Sequence, residues 1–209
     1  MKGEIFGISY RRWVFLLAGL VCFGIGIALM KRSNMGLGPW AVLSDGIATQ
    51  TNQQLGTIDI ISGVFIFMLW IPLGEKPGVG SIANLILIGL VTNVVLNVLA
   101  PATQLIPQLA LSIAGILTIG LGSGFYLSTR LGAGPRDGLM MGLVRKTGKS
   151  VRLIRTIIEI VVLAAGWLMG GAVGFGTVAF ALGIGPVVQF MFKLLNYHPH
   201  PAPAPDPAK

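Results

Sequence analysis

The chain is short of the residues on which most protein chemistry depends. It has one cysteine and two histidines among 209 residues. Cys22 lies inside an apolar run, so it forms no internal disulfide and reads as a small packing residue. His198 and His200 both sit in the tail, which excludes a buried histidine-based catalytic or metal site. The sequence has no Walker-type phosphate loop, no Ser-His-Asp set and no cluster with metal-ligand spacing. No enzyme activity, metal or cofactor is therefore expected. Charge is scarce as well: 11% of residues are charged, against about 25% in soluble domains.

What fills the chain instead is apolar. Hydrophobic residues make up 54%, and the mean hydropathy is +0.81. This composition is that of an integral membrane protein. The net charge of +8 is not a nucleic-acid signal, because no soluble basic domain exists to carry one. Basic residues beside membrane spans set orientation and meet anionic lipid. The basic start before residues 13–30 is no signal peptide, since the apolar run is too long and no small-residue cleavage site follows.

Six spans are expected, at about residues 13–30, 57–73, 79–100, 108–128, 153–170 and 175–195. Two short mixed segments, at about 40–50 and 135–147, fall below the roughly 20 residues a crossing needs. A rival arrangement with eight crossings would place Arg136 and Asp137 at lipid depth, which is costly. The tail, 199–209, alternates proline with small residues and is expected to be disordered. Residues 1–198 then form a single transmembrane domain.

The chain is organised around Gly132-Ala133-Gly134-Pro135-Arg136-Asp137-Gly138. Glycine permits the turn, and proline suits the first turn of the helix that follows. A helix N-terminus carrying Arg136 favours an anionic group. The same device stands 96 residues earlier, as Gly36-Leu37-Gly38-Pro39-Trp40. At that offset Gly19, Gly24 and Gly26 also meet Gly115, Gly120 and Gly122, and Gly78-Val79-Gly80-Ser81-Ile82-Ala83 meets Gly174-Phe175-Gly176-Thr177-Val178-Ala179. A duplication follows, with halves at about 15–98 and 111–194. Three spans per half reverse the second half, giving inverted repeats, a plan shared by many transporters. With the N-terminus inside, 13 of the 15 Lys and Arg fall on the inner side and only Lys31 and Arg32 outside. N-terminus and C-terminus are therefore expected in the cytoplasm.

Gly134-Pro135-Arg136-Asp137-Gly138-Leu139-Met140, the earlier Gly36-Leu37-Gly38-Pro39-Trp40, Arg155 followed by Glu159, and Gly166-Trp167 resemble the YczE/YyaS/YitT family of bacterial integral membrane proteins. The likeness is nearest to the YczE branch and covers all but the tail. It implies a bacterial cytoplasmic (inner) membrane location and little chemistry, so function is left to the residues.

The candidate substrate-binding residues are those of the two breaks, Gly36, Gly38, Pro39, Gly132, Gly134, Pro135, Arg136, Asp137 and Gly138, with Asp45 and Glu159. Arg136 and Asp137 could serve as a salt-bridged anchor instead. Glu159 could pair with Arg155 on one helix face or bridge to Arg136. Asp45 could be a solvated carboxylate at the outer face. Asn84, Asn93 and Asn97 could line a path or join helices. The function expected is a transporter or channel for a small anionic or zwitterionic solute, bound where the two breaks meet. The alternative is a non-transporting accessory or regulatory partner of another membrane protein. Expected partners are the lipid bilayer and the solute, with an oligomer or membrane-protein partner left open and no nucleic acid.

Overall fold

The computed structural model describes residues 4–5 and 8–197. The proline-rich tail and both histidines lie outside the described residues. A two-residue antiparallel ladder, β1 (Glu4–Ile5) with β2 (Ile8–Ser9), precedes eight helices. These are α1 (Tyr10–Ser33), α2 (Pro39–Thr51), α3 (Leu55–Leu73), α4 (Val79–Val98), α5 (Leu105–Ser128), α6 (Pro135–Thr147), α7 (Val151–Leu168) and α8 (Phe175–Leu194).

Among the described residues, five helices are long and apolar enough to cross a membrane: α1, α3, α4, α5 and α8. α7 covers the remaining expected span, but Arg152, Arg155 and Glu159 within its 18 residues keep it out of that group. The short helices α2 and α6 have 13 residues each, about 20 Å of helix against a hydrocarbon core of about 30 Å.

The core is apolar, around Leu16, Leu20, Met30 and Val42, but the exterior is apolar as well, unlike that of a soluble domain. Phe65, Met68, Ile71, Val98, Leu168 and Leu182 are exposed, whereas Ser33, Ser44, Ser81, Thr92, Ser112 and Asp45 are buried. A continuous apolar exterior is what lipid requires. Small polar residues inside let helices approach and hydrogen-bond one another.

Local chemistry fixes the helix starts. Pro39 and Pro135 each occupy the first turn after a glycine N-cap. The turns that deliver them use Gly36 at φ 106° and Gly132 at φ 139°, backbone conformations that L side chains rarely adopt. α4 and α8 start with a matching device: the Ser81 hydroxyl accepts from Gly78 N–H at 3.1 Å, and the Thr177 hydroxyl from Gly174 N–H at 3.2 Å. The breaks dock onto these starts. Gly80 N–H donates to Leu131 O at 2.8 Å, and Gly176 N–H donates to Met35 O at 2.6 Å.

α1 and α5 form the central pair. Gly19 packs on Gly122 and Gly26 on Gly115, so the two helices run antiparallel. A Cβ at Gly26 would sit 2.8 Å from Gly115 O, closer than real side chains come. α4 packs on α1 through Gly24 against Ile88 and Val91, and α8 packs on α5 through Gly120 against Ile184 and Val187. α2 packs on α7, and α6 on α3. Each of these contacts maps onto its fellow at the 96-residue offset. The layout of α3 against α4 is the exception, since α7 and α8 do not pack along their lengths.

Candidate functional site

The N-terminal turns of α2 and α6 open into a central cavity of about 400 Å³, within the range of ligand pockets, roughly 300–1,000 Å³. Its lining includes Gly38, Pro39 and Trp40 from the first break and Gly134, Pro135, Arg136 and Asp137 from the second. α3 contributes Asp59, α4 Asn84, α5 Ser123 and Tyr126, and α7 Arg155 and Glu159.

Arg136 is the second residue of α6 and reaches across to α3, where its Nη2 pairs with Asp59 Oδ1. The Ser44 hydroxyl of α2 donates to the same carboxylate oxygen at 2.9 Å. The guanidinium also lies over the Trp40 ring, 5.2 Å from its centroid, a cation–π geometry. One cluster thus ties α2, α3 and α6 together. Asp137 turns the other way, toward α5, where the Tyr126 hydroxyl donates to its Oδ2 at 2.6 Å. It sits in the first turn of α6, where unpaired backbone N–H groups favour a carboxylate. Trp70 holds the start of α6 in place: its Nε1–H donates to Pro135 O at 2.9 Å. Its ring packs where Gly138 leaves room.

The expected residues therefore divide. Gly38, Pro39, Gly134, Pro135, Arg136, Asp137 and Glu159 line the cavity. Gly36, Gly132 and Gly138 stand behind it as packing positions, because Gly36 faces Gly174, Gly132 faces Ser81, and Gly138 faces Trp70.

Two expectations need correction. Arg136 and Asp137 do not pair with each other; neighbours on one helix point apart, and each takes a partner from another helix. Asp45 is not a solvated carboxylate and does not line the cavity. It is buried, pairs with Lys31 Nζ at 2.5 Å and accepts from Ala172 N–H at 3.0 Å, so it locks α2 to α1 and to the turn before α8. Glu159 takes the first of its two expected partners, Arg155, and not Arg136. It pairs with Arg155 at 2.8 Å along its own helix, at the cavity edge.

Asn93 joins helices rather than lining a path. Its amide accepts from Gly56 N–H at 2.8 Å and donates to Thr57 Oγ1 at 2.9 Å.

Two residues escaped the sequence reading. Asp59 carried a usable signal, as a lone acid within an apolar run, but its place near the helix start resembled an interfacial charge. Tyr126 carried none, because its hydroxyl gains meaning only once α5 faces α6.

Electrostatically, the lining holds the carboxylates Asp59, Asp137 and Glu159 against the guanidiniums of Arg136 and Arg155. The N-terminus of α2 has no acidic residue in its first turn, whereas that of α6 carries its own Asp137. The positive end of α2 is thus uncompensated by its own residues, whereas Asp137 offsets that of α6. Among the described residues, no group of three or more His, Cys, Asp or Glu is placed to hold a metal ion.

Comparison with known proteins places the chain. The model of a family of unknown function, DUF6198, matches residues 10–193. An uncharacterized protein of Haemophilus influenzae is 41% identical over 191 residues, covering 91% of this chain and 88% of that protein. The uncharacterized membrane protein YczE of Bacillus subtilis is 35% identical over 195 residues, 89% of each chain. YyaS of the same organism is 21% identical over 191 residues, 90% of this chain and 95% of that one. No solved structure matches the chain. With an apolar exterior, helices long enough to span, and these relatives over nearly its whole length, the chain is an integral membrane protein that belongs to the DUF6198 family and is related to YczE and YyaS.

Proposed function

We propose that the protein is a transporter of the bacterial cytoplasmic membrane that binds a small zwitterionic solute in the central cavity. The observation that carries this reading is the ionic cluster on the cavity wall, Arg136 with Asp59, Ser44 and Trp40 on one side and Asp137 with Tyr126 on the other. A charge at the bilayer centre costs about 2.5–3.5 kcal/mol on insertion scales, so ionisable groups at that depth need a purpose or a partner. Here each has a partner, and the group still faces a cavity of ligand size. The solute's anionic end would meet the α2 N-terminus and Arg136, and its cationic end Asp137.

On this reading the two halves are inverted repeats, α7 makes the sixth crossing, α2 and α6 do not cross, and both termini are cytoplasmic. The antiparallel run of α1 against its offset counterpart α5 supports that plan, and so does the sidedness of Lys and Arg. The solute-facing residues would be Gly38, Pro39, Trp40, Gly134, Pro135, Arg136, Asp137 and Glu159.

The test is solute-dependent thermal stabilisation of the purified protein, screened over anionic, cationic and zwitterionic small molecules. Zwitterions should stabilise the wild type and fail with Arg136→Ala. Stabilisation by no solute, together with a membrane protein that co-purifies stoichiometrically, would replace transport by an accessory role.

A further inference from the structure

We propose that the solute of this site is a single-chain amphiphile with a zwitterionic head, admitted sideways from the bilayer between α7 and α8. This rests on the binding site described above and names its ligand class.

The seam between α7 and α8 is the counterpart of the one between α3 and α4, and sequence makes the two different. In the first half Gly56 lies against Gly89, and Asn93 hydrogen-bonds Gly56 and Thr57, so α3 and α4 close on each other. At the 96-residue offset Gly56 becomes Arg152, while Gly89 becomes Gly185. A side chain as large as arginine prevents the same approach. A Cβ added at Gly185 meets nothing within 4 Å. Gln189, the counterpart of Asn93, lines the cavity instead of bridging helices. The cavity therefore reaches the α7–α8 seam, where Ile158, Val188 and Phe192 join its lining. The outer faces of these helices expose Ile160, Val161, Leu182 and Phe190, while Arg155 and Gln189 stand exposed beside Ile158 and Val188, so the seam borders lipid and carries a polar rim past which a head group can enter.

The lining is also sorted by polarity. Asn84 and Tyr126 stand beside the second break, against Gly134 and Asp137, with Ser123 one turn from Tyr126; at the same offset their counterparts are Phe180, which packs on Gly38 of the first break, Met30 and Ile27. A head that pairs with Arg136 and Asp137 would sit against the polar wall. Its chain would follow the apolar wall outward through the seam. A small fully polar solute would leave that wall unused.

The experiment uses the full chain in lipid nanodiscs with two probes. One is lysophosphatidylethanolamine bearing a photoreactive acyl chain. The other is water-soluble glycerophosphoethanolamine, read by thermal stabilisation. The acyl probe should label Ile158, Val188 and Phe192. Gly185→Trp, whose side chain starts in the open space beyond that glycine, should lower that labelling by about tenfold or more and leave stabilisation by the soluble head intact. Labelling spread over lipid-facing Phe65 and Leu182 and unchanged by Gly185→Trp would overturn the proposal. So would a dimer that buries Gly185 between copies and excludes the probe. If the soluble head stabilises the protein through Arg136 while the acyl probe never reaches the seam, the solute site stands and the amphiphile reading falls. If neither probe binds, both fall.

Discussion

Replacing Arg136 by alanine should destabilise the protein through Asp59 and not through Asp137. The Asp59 side chain is 11% exposed and that of Arg136 26%. With the guanidinium gone, Asp59 keeps only the Ser44 hydroxyl at 2.9 Å. Stranding one member of a fully buried pair costs about 3–5 kcal/mol. The exposed quarter of Arg136 faces a cavity wide enough for water, which lowers the cost to about 2–3 kcal/mol. In a chain of 209 residues each kcal/mol moves the Tm by about 2–4 °C, so Arg136→Ala should lower it by about 4–12 °C. Asp59→Ala should cost a similar amount, because Arg136 is then left with the Trp40 ring alone. Arg136→Ala with Asp59→Ala removes both charges and should recover most of the loss, giving a coupling energy within the usual 0.5–3 kcal/mol or so. Arg136→Ala with Asp137→Ala should not recover it, since Asp137 is held by Tyr126. Thermal unfolding in detergent, followed by fluorescence-detected size exclusion of each variant, reads all four proteins. Rescue by Asp137→Ala and none by Asp59→Ala would refute the reasoning. Solute binding separates the remaining roles: the rescued Arg136→Ala/Asp59→Ala protein should be stable and still fail to bind.

Reporter fusions at Asn196 and near Gly148 should report the cytoplasm and one near Gln53 the outside; a cytoplasmic reading at Gln53 would favour eight crossings. Asp45→Ala should cost about 3 kcal/mol, less than for a fully buried pair because the Lys31 side chain is 33% exposed. Solute affinity of the surviving Asp45→Ala protein should equal wild type, and a binding defect without a stability defect would put Asp45 back in the site. Tyr126→Phe removes a charge-assisted hydrogen bond of 2.6 Å, so it should lower stability by about 1.5–3 kcal/mol, and an unchanged Tm would show the contact to be incidental. Gly26→Leu should leave little folded protein, since the space beyond its Cα is filled by Gly115 O and Ile119; normal yield and Tm would contradict the close α1–α5 packing.

Helices were the legible part, because hydropathy and glycine-proline punctuation act locally. Pro39 and Pro135 open their helices where the Gly-x-Gly-Pro pattern places them, and the span expected over 79–100 appears as Val79–Val98. The N-terminal ladder left no pattern to read, being two residues per strand. Pairing between helices was not legible. Arg136 and Asp137 adjoin in sequence, but a helix turns neighbours about 100° apart, so their partners are decided by which helices arrive on each side. Asp45 misled for the same reason: a carboxylate in a short polar segment looks exposed until Lys31 and the Ala172 N–H are brought to it.

At the 96-residue offset some positions match and others do not. Positions that set helix spacing are glycine in both halves, as with Gly19 and Gly115, Gly24 and Gly120, Gly26 and Gly122, since any Cβ there would enter a neighbouring helix. Positions that face the cavity differ in kind. Arg136 stands where the first half has Trp40, and the two are stacked on each other; Asp59 stands opposite in sign to its counterpart Arg155. A symmetric lining would place two like charges about the same axis, where they repel at low dielectric. Divergence removes that conflict: aromatic against cation, acid against base. It also lines the cavity with both signs of charge, which a zwitterion needs. The same divergence at Gly56 and Arg152 opens one seam and closes the other. The glycine contacts that hold the fold thus repeat between the halves, while the side chains at the cavity and the packing of α3 on α4 do not.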